Sequence, residues 1–102
     1  MDYDKLVRDK IPEIIKLSGK QYTIDYCSTN NELKRRLVDK LSEEGEEYLE
    51  KYAKEELADL LQIIYFLIEI SDSKLEEIVD IMTEKRIARG GFSKGIILKE
   101  VN

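Results

Sequence analysis

Eight carboxylates fall within the seventeen residues from Glu43 to Asp59, EEGEEYLEKYAKEELAD. Two pairs among them, Glu44 with Glu47 and Glu56 with Asp59, have the i,i+3 spacing that makes side chains neighbours on a helix surface. Carboxylates so placed hold a divalent cation, move protons or face water, depending on what surrounds them. At about 100° per residue, Leu33, Leu37, Leu41 and Tyr48 form one stripe. Glu44 falls in the middle of that stripe, with Glu47 about 60° to one side. Further along, Asp59 aligns with Ile63, Phe66 and Ile70, and Glu56 lies roughly 60° off. Charges buried unpaired on such faces cost several kcal/mol each. A divalent cation between the two pairs removes that cost. The competing reading is a solvated helix face with Lys51 and Lys54 as partners, and it accounts better for Glu46, Glu50 and Glu55.

The rest of the composition narrows the chemistry. There is no histidine, which excludes Ser-His and Cys-His nucleophiles and imidazole metal sites. It also removes a carboxylate-bridged di-iron bundle, which uses Glu-x-x-His motifs. A net charge of −5 argues against a general nucleic-acid surface. The lone Cys27 forms no internal disulfide and reads as a small hydrophobe in a reducing compartment. The start has no apolar signal-peptide core, and Leu60 to Ile70 is too short to span a bilayer, so a cytoplasmic protein without membrane contact is expected.

These acids need helices to hold them. Val7 to Leu17 reads as a short helix with Pro12 near its first turn, stopped by Ser18-Gly19. Thr29 and Glu32 form a capping-box pair that opens a second helix at about residue 30. Leu57 to Ile70 is a third helix, apolar on most sides and therefore expected to be buried. Ser73 and Glu76 form another capping pair, opening a fourth helix with Leu75, Ile78, Val79 and Met82 on one face, and Gly90-Gly91 ends it. On one straight helix the two acid pairs would stand ~18 Å apart and about 120° around the axis. The chain therefore has to turn near Glu50 to Lys54, making an antiparallel helix hairpin. The expected fold is a single all-α domain, an antiparallel helical bundle over residues 1–102. Alternation at Tyr22, Ile24 and Tyr26 and the apolar tail leave room for a small two-stranded β element from residues 22–27 and 95–101. A chain of this length covers one apolar face of the third helix but not both, so a homodimer or homotetramer is expected. Tyr48, Tyr52, Tyr65 and Phe66 are read as core or interface groups.

The order of three blocks resembles a known superfamily. Glu43, Glu44 and Glu47 match an EExxE pattern, followed by the ELAD of Glu56 to Asp59, and this is similar to the MazG-like all-α nucleoside triphosphate pyrophosphohydrolases. The opening KLVRDKIPEII and the closing EKRIARGGFSKGIILKEV resemble one branch of that superfamily, so the likeness covers nearly the whole chain. Gly45 departs from the larger residue expected there.

That resemblance implies hydrolysis of a nucleoside triphosphate, or a modified one in nucleotide-pool house-cleaning, to monophosphate and pyrophosphate. It implies Glu44, Glu47, Glu56 and Asp59 as ligands of Mg²⁺ or Mn²⁺, a choice that suits an oxygen-only donor set. Glu43, four residues before Glu47, is then a candidate for supporting a metal ligand from behind or for acting as the general base. Lys85, Arg86 and Arg89 in the fourth helix are candidate phosphate contacts, with Lys5 and Arg8 as further ones; complementing a helix dipole is the plainer role for the first three. Phosphoribosyl-ATP is the alternative substrate, and a non-catalytic helical dimerisation module the alternative class.

Overall fold

The structure, a computed structural model, describes residues 4–102. Its first helix, α1 (Ile11–Leu17), starts later than the expected Val7. Pro12 sits in the first turn, where its missing N–H is harmless, but its ring would clash with a further turn before it. Gly19 (φ +85°) then takes the left-handed conformation that stops the helix. Thr29 opens α2 (Asn30–Lys51) with extended backbone, and its hydroxyl accepts the Glu32 N–H at 3.1 Å. α3 runs Lys54–Ile70 and α4 Leu75–Arg89.

The expected hairpin forms, and its turn is only Tyr52 and Ala53. Tyr52 stands in the left-handed region (φ 50°, ψ 32°), which is uncommon for a residue of this size. Its N–H donates to the Tyr48 carbonyl at 2.7 Å, and the two rings meet edge to face at 5.5 Å. Ala53 is extended and redirects the chain into α3. With so short a connection α2 and α3 pack along each other, and they supply the two buried apolar side chains among the described residues, Leu37 and Ile63.

Three expectations are corrected. Helix α3 is not buried on most sides: Leu57, Leu61, Ile64, Tyr65 and Phe66 are exposed, because α2 and α4 are the only helices that lie against it among the described residues. The cap of α4 falls one residue later than Ser73 and Glu76. Ser73 instead donates its hydroxyl to the Ser71 carbonyl at 3.4 Å, and Lys74 N–H donates to Glu77 Oε1 at 3.3 Å. No strand forms among the described residues, so the small β element from 22–27 and 95–101 is absent. Among the described residues helix α4 packs on no helix but α3. No helix among the described residues is long and apolar enough to cross a membrane.

Candidate metal centre

The hairpin brings together acids that are twelve residues apart in the chain. Glu44 from α2 and Glu56 and Asp59 from α3 each offer a carboxylate oxygen, and the three oxygens lie within 4.8 Å of one another. Glu56 is in the first turn of α3, where the helix dipole favours a negative charge. Asp59 follows it three residues on, and both therefore face the α2 stripe on which Glu44 lies. The side chains of Glu44 and Glu56 are only 12% and 9% exposed, so these are not surface carboxylates.

Cations stand around this group rather than inside it. Lys40, four residues before Glu44, is 4.0 Å from it; Lys51 is 3.8 Å from Glu56. Arg8 Nη2 donates to Asp59 Oδ1 at 2.6 Å, and Arg8 Nη1 also donates to Gln62 Oε1. Lys5 pairs with Glu43 at 3.3 Å at the rim. The segment carrying Lys5 and Arg8 is itself tied down, since Arg36 contacts both the backbone carbonyl and the carboxylate of Asp4 at 3.2 Å. It thus crosses from α2 to α3 over the acids.

These pairs do not satisfy the centre. Glu44 Oε2 is buried with no hydrogen-bond partner. Burial raises the Glu44 pKa, the negative charges of Glu47 and Asp59 raise it further, Lys40 opposes them, and a side-chain hydrogen bond with Glu47 adds a smaller rise. A buried carboxylate oxygen without a donor, facing two other carboxylates, is matched by a hard cation that takes oxygen ligands. The donor set has no sulfur or nitrogen, which suits Mg²⁺ or Mn²⁺ over zinc.

The sequence-derived residues distribute unevenly. Glu44, Glu56 and Asp59 converge, Glu47 stands beside Glu44 and acts on it by charge, and Glu43 lies at the rim. Lys5 and Arg8 are at the site. Lys85, Arg86 and Arg89 are exposed in the last part of α4 and form no ion pair with the acids among the described residues. Two neighbours escaped the sequence reading. Lys40 was signalled by its i,i+4 spacing to Glu44, and Gln62 by its i,i+3 spacing to Asp59. Comparison with protein-family models, curated proteins and solved structures found no match.

Proposed function

We propose that this chain is a divalent-cation-dependent nucleoside triphosphate pyrophosphohydrolase of the MazG-like kind. The observation that carries the reading is the convergence of Glu44, Glu56 and Asp59 from two helices around a buried, unpartnered carboxylate oxygen. The block order of the sequence points to the same chemistry. In the reaction a water oxygen bonds to the α-phosphorus and the bond from that phosphorus to the α–β bridging oxygen breaks. Monophosphate and pyrophosphate leave, and the proton of the water passes to a base.

Glu44, Glu56 and Asp59 would hold Mg²⁺ or Mn²⁺, with Glu47 adding negative charge beside them. When bound, the cation neutralises triphosphate charge and lowers the pKa of a coordinated water. The chain's own groups do the rest. Arg8 holds Asp59 in one orientation through a charge-assisted hydrogen bond and, with Lys5, gives the rim a positive edge for a polyanionic substrate. Glu43, the rim carboxylate outside the converging trio, accepts the proton of the attacking water.

The test is a screen of standard and modified nucleoside triphosphates with Mg²⁺ and with Mn²⁺, measuring pyrophosphate against orthophosphate. Equimolar monophosphate and pyrophosphate, lost on chelation, is the expected result. Release of orthophosphate alone, or no turnover of any triphosphate, would sink the reading.

A further inference from the structure

The acid centre is met by a cation from outside the hairpin. Arg8 stands in the irregular stretch before α1, and its guanidinium reaches across to α3. There it donates to Asp59 Oδ1 at 2.6 Å and to Gln62 Oε1. The two hairpin lysines stand farther from their carboxylates, Lys40 at 4.0 Å and Lys51 at 3.8 Å. Asp59 and Gln62 are neighbours on the helix surface, so the planar fork of one guanidinium serves both.

The Asp59 carboxylate is therefore wanted twice. It is one of the three groups whose oxygens converge as a hard-oxygen site for a divalent cation. A guanidinium hydrogen-bonded to the same carboxylate places a positive charge beside any ion that Asp59 holds, and the two cations repel. Arg8 answers the negative charge of the centre only in part. It reaches Asp59, while Glu44 Oε2 stays buried without a donor. A divalent ion carries twice the charge and is shared by all three carboxylates, so the exchange favours the ion.

Arg8 is also free to move. Its side chain is 56% exposed, and residues 4–8 form neither helix nor strand. The segment is anchored ahead of Arg8, by Arg36 on Asp4 and by Lys5 on Glu43. Arg8 can leave Asp59 while those anchors keep it at the rim. We propose that Arg8 is displaced from Asp59 when a divalent cation binds, and that its released guanidinium turns to the phosphates of the substrate. The hold of Arg8 on Asp59 is thus provisional, keeping the carboxylate aimed at the centre until an ion takes it. The displacement needs only the metal centre, while delivery of Arg8 to a phosphate rests on the proposed activity. Coupled in this way, the site offers its guanidinium fork to a polyanion only once its cation is in place.

Titration calorimetry of the full chain with Mg²⁺ and with Mn²⁺ tests the displacement without turnover. Arg8→Gln should bind the ion roughly fivefold more tightly than the wild type, or better still. Lys51→Gln removes the same charge from a longer pair and should gain less. Gln62→Ala changes no charge, yet it takes away the second acceptor of Arg8 and should still tighten binding by roughly twofold. Equal gains in Arg8→Gln and Lys51→Gln with none in Gln62→Ala would be an effect of net charge alone, and that result overturns the displacement. Weaker binding by Arg8→Gln overturns it too, by showing that Arg8 stays on Asp59 and helps it hold the ion. If Arg8→Gln loses its helical circular dichroism, Arg8→Lys, which keeps the charge without the fork, is read in its place and should show a smaller gain of the same sign. Absence of ion binding in the wild type and in every variant removes the metal centre and the displacement with it. For the delivery, Arg8→Gln should raise KM for the triphosphate that the wild type hydrolyses by a larger factor than it lowers kcat. An unchanged KM overturns the delivery. A wild type that binds the ion but hydrolyses no triphosphate removes the proposed activity and the delivery, and calorimetry still decides the displacement.

Discussion

The α2–α3 hairpin and helix α4 both carry apolar residues at helical spacing, more sharply segregated to one side in the hairpin, and end in opposite environments. The hairpin closes through two residues, which forces its helices together and buries Leu37, Ile63 and even Glu56. Helix α4 follows a four-residue connection, 71–74, and moves off with every residue exposed. An apolar stripe therefore states that burial is needed. Connectivity decides whether the same chain supplies it. The functional consequence is that the acids, on the hairpin, are fixed by the single chain, while the cations of α4 are not.

The largest effect that would sharpen this contrast comes from charge at the centre. Asp59→Asn removes one negative charge from the trio while nearly preserving volume. Hydrolysis should fall by orders of magnitude, since charge stabilisation by a bound metal contributes several kcal/mol. Mg²⁺ should raise the wild-type melting temperature by ligand linkage and do so much less in the variant. Glu50→Gln, on an exposed position of α2, should change neither. Equal behaviour of the two variants, in calorimetry with and without Mg²⁺, would break the assignment of the centre.

Next comes packing. Ile63 is buried between the hairpin helices, so Ile63→Ala should cost ~2–5 kcal/mol in denaturant unfolding. Ile87 is 82% exposed, and Ile87→Ala should change stability by less than about 0.5 kcal/mol. Similar losses at the two positions would mean that α4 is packed as tightly as the hairpin, and the contrast would fail.

The hairpin and its acids were legible in the sequence because each left a periodic signal. Glu44 and Asp59 interrupt apolar stripes, and only a turn between them reconciles that with helix geometry. The turn falls inside the expected window of Glu50 to Lys54, at Tyr52 and Ala53; its form was not legible, since Tyr52 takes the left-handed conformation usually given to glycine or asparagine. The arrangement of Arg8 was equally hidden: a cation 51 residues from Asp59 in sequence carries no local mark of its contact. Burial of α3 was misjudged for a different reason. Apolar composition reports the demand for cover, and part of that cover is missing from the chain itself.

Glu44 offers a finer test of the centre. Its folded-state pKa is raised, chiefly by burial and then by Glu47 and Asp59. A carboxyl group of that kind favours the fold while protonated, below its unfolded pKa. That contribution is lost as pH rises through the higher, folded-state value. Without divalent cations, Glu44→Gln should therefore melt higher than the wild type at pH 7, and the gap should close as pH falls into the carboxylate range. A wild type more stable than the variant at pH 7 in the presence of chelator would show that Lys40 outweighs burial.

The smallest effect separates the helix that carries the centre from the centre itself. Gly45 lies inside α2 between Glu44 and Glu46, and it is not among the glycines with positive φ. A Cβ built on it meets nothing within 4 Å, so neither packing nor backbone conformation requires glycine here. Gly45→Ala should stabilise the protein by roughly 0.4–1 kcal/mol, through helix propensity and a less flexible unfolded chain. Because the added methyl touches no group of the trio, the rise in melting temperature on adding Mg²⁺ should match that of the wild type. Denaturant midpoints with and without Mg²⁺ read both quantities in one experiment. A stabilised variant with an undiminished metal response would show that the hairpin scaffold can be strengthened independently of the site. A stabilised variant whose metal response is lost would mean that the open space over Gly45 is itself part of the centre.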